Sequence, residues 1–166
     1  MNRSSALPLA RLIALAAPAL LLGGALASQY IGGLYPCEMC LWQRWPHAAA
    51  ILLALGAFAT RPRAGTSRLL TALAALGIAV SGAIGVFHAG VEYGWWEGIT
   101  ACSVPIAGGS AQDMLDAIMA APLTRCDVAP WSLFGISLAG FNALFSLAAT
   151  ALIAACLLRP QGLRKR

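Results

Sequence analysis

The sequence predicts an all-α integral membrane protein: a four-helix transmembrane bundle, with two loops on one side of the bilayer and both termini on the other. Three observations carry this. The 166 residues are 60% apolar and only 10% charged, outside the range of ordinary globular domains. Four apolar runs, 12–31, 41–60, 69–88 and 133–158, are long enough to cross hydrocarbon, which takes ~20 residues of helix. Basic residues also sort by side. Arg3 and Arg11 precede the first run, Arg61, Arg63 and Arg68 link the second to the third, and Arg159, Arg164, Lys165 and Arg166 follow the fourth. The opposite side holds every acidic residue, Glu38, Glu92, Glu97, Asp113, Asp116 and Asp127, with Arg44 and Arg125 the only basic ones there. Positively charged segments stay in the cytoplasm, so both termini and the central link are expected there.

The net charge of +5 is thus a topology signal, and no aromatic-basic motif turns it into a nucleic-acid footprint. The alternation expected of barrel strands is absent. The first run resembles a secretory signal ending at Ala25-Leu26-Ala27, but signal cores span only ~7–15 apolar residues, so a membrane span is the better reading. Its Pro18 is tolerable, because membrane helices accept proline.

Gly32-Gly33 and Pro36 end the first helix and leave a short outer loop. Trp42 and Trp45 mark the bilayer interface. The second span starts near Cys40, and Pro46 either begins its regular part or kinks it. A tight basic link, residues 61–68, leads to a third span in which Gly77, Gly82 and Gly85 let a neighbouring helix approach closely. The outer segment 89–131 is too long to be a mere connector. It opens with Tyr93, Trp95 and Trp96, and Gly108-Gly109 forms a flexible joint. Ser110 then caps a short amphipathic helix over 111–121, with Met114, Leu115, Ile118 and Met119 on one face, against lipid or against the bundle. Pro122 ends it. No repeat or second domain is visible, so 1–166 reads as a single membrane domain.

Four of the five cysteines fall on the outer side, two per loop: Cys37 and Cys40, then Cys102 and Cys126. Cys156 reads as a small buried apolar residue. Thiols outside a cytoplasmic membrane are not kept reduced, so these pairs should cycle or stay bridged. Of the three possible pairings, local spacing favours Cys37–Cys40 and Cys102–Cys126. A zinc site would need four converging ligands, and the wide second pair does not supply them, so no metal is expected. A C-x-x-C ring is too small to gain much as a staple, which favours a redox switch over a structural bridge. Cys40 sits at a helix N-terminus, where unpaired N–H groups favour a thiolate. Arg44, one turn on, adds a fixed positive charge. An arginine in a membrane segment is costly without a task, although snorkelling to the headgroups is the simpler role. His88 ends the third span at the same depth and completes a pocket with Arg44, whereas His47, one turn deeper, reads as structural. Neither a GxGxxG fingerprint nor a C-x-x-C-H haem attachment is present. A lipid-soluble quinone, polarised by Arg44, fits the location as electron acceptor.

With these features the chain resembles the disulfide bond formation protein B (DsbB) family of bacterial inner-membrane oxidases. The likeness covers nearly the whole length: four spans, C-x-x-C-x-x-x-R in the first outer loop, a widely spaced cysteine pair in the second, and Pro130-Trp131-Ser132-Leu133-Phe134-Gly135-Ile136-Ser137 before the last span. Relatives of vitamin K epoxide reductase share the architecture but carry the quinone-facing C-x-x-C late in the chain. The resemblance implies that a reduced periplasmic DsbA-like thioredoxin-fold protein attacks Cys102–Cys126, with Cys102 forming the mixed disulfide. Cys126 then attacks Cys37, and Cys40 passes electrons to ubiquinone or menaquinone beside Arg44 and His88. It implies an inner-membrane thiol oxidase with its active cysteines on the periplasmic side. A non-catalytic membrane scaffold with stapled loops is the competing reading.

Overall fold

The computed structural model describes residues 6–100, 110–112, 115, 119 and 124–158. Four long helices dominate: α1 (Ala6–Tyr30), α2 (Glu38–Ala59), α3 (Ala64–Glu92) and α4 (Leu138–Leu158). A two-stranded antiparallel hairpin, β1 (Ser132–Leu133) and β2 (Ile136–Ser137), precedes α4. The links 31–37 and 60–63 are short, so α1, α2 and α3 run up, down and up. Helix α3 packs along α2 and α4, while α1 lies against α2 and α4 and barely meets α3.

Among the described residues, three helices, α1, α3 and α4, are long and apolar enough to cross a membrane. The 22-residue α2 has the length, but Gln43, Arg44 and His47 in its first turns dilute its apolar character. Small residues fill the interior: Ala10, Ala14, Ala50, Ala54, Ala74 and Ala75 cluster around Ile78 and Ile153. Large ones, such as Leu20, Leu52, Leu76 and Leu152, point outward. This is the arrangement that lipid favours, since close backbone packing rather than burial of leucine holds membrane helices together.

Helix ends depart from the expected runs at Arg11 and at the start of α4. Arg11, expected ahead of the first span, lies inside α1 and is buried. Of the two places open to Pro46, the start of the regular helix or its interior, it takes the interior of α2. Helix α4 begins at Leu138, not 133, because Phe134 and Gly135 both adopt positive φ, 51° and 78°. Two such residues make the tight turn that matches strand twist, and so Ser132–Ser137 folds back on itself. Tyr93 fixes this hairpin to the end of α3: its hydroxyl donates to the Gly135 carbonyl at 3.1 Å and accepts from Ser137 N–H at 3.0 Å. Trp96 lies flat over Gly90, where a Cβ would come within 2.0 Å of its ring, and its Nε1–H donates to the Phe87 carbonyl.

Of the expected 111–121 helix, Ala111, Gln112, Leu115 and Met119 are helical and exposed; the other positions lie outside the described residues. So do Cys102, Gly108-Gly109 and the termini with Arg3, Arg159, Arg164, Lys165 and Arg166.

Candidate active site

The site lies where the C-terminal ends of α1 and α3 meet the N-terminal ends of α2 and α4. Cys37 is the N-cap of α2, in an extended conformation, and its Sγ accepts a hydrogen bond from Cys40 N–H at 3.3 Å. The two sulfurs are 2.9 Å apart, with the Cys37 thiol donating to Cys40 Sγ. Both are free thiols. The hydrogen bond to Cys40, and then burial, raise the Cys37 thiol above the usual range. Cys126 is disulfide-bonded and fully buried, and it shares one apolar cluster with Cys37, Met39 and Val91, against which Cys40 and Phe87 pack. The segment after α3 therefore brings a cysteine to the α1–α2 loop. Thr100 donates to Cys126 Sγ at 3.3 Å, and a paired Arg125 and Asp127 flank it. The guanidinium holds the Asp127 carboxyl below the usual carboxylate range.

His88, on the last turns of α3, faces Cys37, with Nε2 3.5 Å from its Sγ. Nδ1 faces the Gln43 amide nitrogen at 2.8 Å. That nitrogen also donates to Met39 O at 3.1 Å, and Gln43 Oε1 accepts from Asn142 Nδ2 at 2.8 Å. Asn142 Nδ2 donates in addition to the Ser81 carbonyl and hydroxyl, and Oδ1 receives His47 Nε2 and the Ser146 hydroxyl. Each amide is thereby fixed in one orientation, since reversing Gln43 would set its oxygen against Met39 O. Gln43 must donate to Nδ1, and the neutral imidazole therefore carries its hydrogen on Nε2, toward Cys37.

This bears on metals. Cys37, Cys40 and His88 bring their ligand atoms within 4.8 Å of one another. Ligation by Nε2 would need the other tautomer, and with it a turned Gln43 and a broken Asn142 chain.

Beside the thiols lies a cavity of about 250 Å³. Cys40, Arg44, His88 and Glu92 line one end of it, and Leu20, Leu21, Phe141 and Phe145 line the rest. Leu20 and Phe145 are also exposed on the bundle surface, so the cavity opens sideways between α1 and α4. Arg44 reaches across to α1, donating to Gln29 Oε1 and to the Ala25 carbonyl. Its Nε is buried and has no partner. An apolar slot with one fixed, unanswered N–H donor suits a flat ring bearing carbonyl oxygens.

Cys37, Cys40, Cys126, Arg44 and His88 thus converge among the described residues, and Cys102 lies outside them. Sequence reasoning passed over Gln43, Ser81, Asn142 and Glu92, and it read His47 as structural although it also lines the cavity. The signal was available: amides and ionisable groups inside apolar helices are expensive unless they have work to do.

Comparison with known proteins identifies the family. The family model described as disulfide bond formation protein DsbB matches residues 8–156. The chain belongs to the DsbB family. It is similar to disulfide bond formation protein B of Marinobacter nauticus (strain ATCC 700491 / DSM 11845 / VT8), 29% identical over 137 residues, 75% of this chain and 76% of that protein. It is likewise similar to disulfide bond formation protein B of Azoarcus sp. (strain BH72), 29% identical over 151 residues, 84% of this chain and 85% of the relative. No solved structure matches the chain. Membership of the DsbB family, with three apolar spanning helices, makes this a multi-pass membrane protein of disulfide bond formation.

Proposed function

We infer that the protein is a quinone-dependent thiol oxidase that restores the disulfide of a periplasmic DsbA-like thioredoxin-fold protein. The observation that carries this is the burial of Cys126 against Cys37 while Cys40, the other half of the C-x-x-C pair, lines an apolar cavity beside Arg44. One pair thus has a neighbour to exchange with, and the other has a route into lipid.

The cycle begins at Cys102–Cys126. A thiolate of the reduced partner attacks Cys102 and releases Cys126. With Cys37 and Cys40 bridged by the preceding oxidation, Cys126 attacks Cys37, the sulfur it packs against, and Cys40 leaves as thiolate at the α2 N-terminus, where free N–H groups and Arg44 favour negative charge. The partner's second thiol then displaces Cys102, which attacks Cys126 and frees Cys37, so the partner leaves oxidised, Cys102–Cys126 is restored, and Cys37 and Cys40 remain as the reduced pair. A quinone bound in the cavity supplies an acceptor for two electrons and two protons. Arg44 is anchored by Gln29 and Ala25, and it presents Nε–H where negative charge develops on reduction. His88 donates from Nε2 toward Cys37. Ubiquinone and menaquinone both fit this chemistry.

Replacing Cys40 with Ser tests the reading. Electron flow to quinone should stop while the Cys126 disulfide stays reducible by the partner. Unchanged turnover would refute the assignment. Resistance of both pairs to a reduced thioredoxin-fold protein would mark a stapled scaffold instead.

A further inference from the structure

We propose that Glu92 is the proton carrier between Cys37 and the cavity. This deepens the oxidase reading and rests on it. Closing the Cys37–Cys40 bond removes two electrons and two protons from the thiols, and the oxidant must gain both. Cys40 lines the cavity, so the proton it takes up after leaving as thiolate is delivered there directly. Cys37 does not line it and is only 5% exposed, so its proton has to be taken up by a protein group.

The nearest base is disqualified. His88 lies 3.5 Å away, but its Nε2 already bears a hydrogen, because Gln43 donates to Nδ1. Arg44 keeps its protons throughout. His47 lies seven residues beyond Cys40 on α2, about 10 Å along the helix at 1.5 Å per residue. Glu92 remains. Its Oε1 lies 3.7 Å from the same Nε2, its side chain is 1% exposed, and it lines the cavity. Its Oε2 is buried with no hydrogen-bond partner. The groups facing it are His88 on α3, Cys37 and Cys40 at the start of α2, Arg44 on the cavity wall, and Ser137 on β2.

An unpartnered carboxylate oxygen is costly to bury charged, whereas the neutral acid has a hydrogen to present to a ligand. Glu92 therefore rests protonated. As Cys40 gives up its electron pair, Glu92 releases its proton to an oxygen of the acceptor. The carboxylate so formed takes the proton of Cys37, whose sulfur then bonds to Cys40. Cys37 Sγ and Glu92 Oε1 flank one N–H, at 3.5 and 3.7 Å from His88 Nε2, and a bridging water would carry the proton between them. Two protons and two electrons leave the thiols, two of each reach the acceptor, and Glu92 ends as it began.

The test uses the full chain in detergent, stripped of quinone, with the isosteric variant Glu92→Gln and the exposed Glu97→Gln as control. With a short-chain ubiquinone added, reoxidation of the reduced Cys37–Cys40 pair should be at least tenfold slower in Glu92→Gln and unchanged in Glu97→Gln. Without quinone, the infrared difference spectrum between dithiol and disulfide should show a carboxylic-acid band that Glu92→Gln abolishes. Reoxidation at the wild-type rate would overturn the proposal. So would a missing band in the wild type, or one that persists in Glu92→Gln. If the wild type itself fails to pass electrons to ubiquinone, the oxidase reading falls, and the proposal with it; if only the Glu92 comparisons fail, that reading stands.

Discussion

Cys37 and Cys40 share one helical turn but not one environment, and the difference is measurable. Cys37 donates its hydrogen to Cys40 and is buried, and these two causes raise its thiol above the usual range. Only the thiolate reacts with an alkylating agent. As pH climbs through the ordinary thiol value of ~8.5, Cys37 should therefore remain protonated and unlabelled. Cys40, partly exposed at the cavity, should label first. Iodoacetamide titration of the reduced protein, read by peptide mass spectrometry, should give a Cys37 profile displaced to higher pH. Superimposed profiles would mean that the hydrogen bond does not order the pair. The two thiols and Arg44 were legible in the sequence because their spacing along one helix is itself the geometry. The Gln43–His88 and Asn142–Gln43 contacts were not, since they join α2 to α3 and α4 across 45 and 99 residues, and local pattern carries no register between distant helices.

Among the elements, α3 packs along both α2 and α4, and its glycines divide into those that permit contact and those that do not. A Cβ at Gly85 would stand 3.0 Å from the Ala139 carbonyl oxygen and 3.1 Å from the Ala143 nitrogen, both backbone atoms of α4. Backbone cannot swing aside as a side chain does, so Gly85→Ala should push α4 away and cost ~1–3 kcal/mol. Gly65, in the first turn of α3, meets nothing within 4 Å, and Gly65→Ala should be neutral or stabilise by up to ~1 kcal/mol through backbone entropy. Thermal unfolding in detergent separates the two, and equal midpoints would deny that α3 and α4 depend on this close approach. Glycine spacing in the third run pointed to such a contact, but not to its partner helix. The hairpin before α4 was missed for a different reason: Leu133, Phe134 and Ile136 continue the apolar run, and composition cannot distinguish a turn at positive φ from the first turn of a helix.

At the scale of the whole molecule, the solvent decides the pattern. Leucines face outward and alanines inward, which water would penalise and hydrocarbon does not. The helix order then gathers Cys37, Cys40 and Cys126 at one end and Arg61, Arg63 and Arg68 at the other, because α2 begins at the first end and finishes at the second. Positive charge resists transfer across the membrane, so the arginine end should face the cytoplasm and the thiol end the oxidising compartment. Single cysteines placed in an otherwise cysteine-free chain test this. A membrane-impermeant maleimide, added to cells whose outer membrane has been made permeable, should label Glu97→Cys and leave Arg63→Cys untouched. Inverted inner-membrane vesicles should give the reverse. Labelling of Arg63→Cys from outside would set both thiol pairs facing the reducing compartment, where a glutathione pool keeps dithiols reduced; no net oxidation could then flow from a secreted partner, through Cys126 and Cys37, into the bilayer.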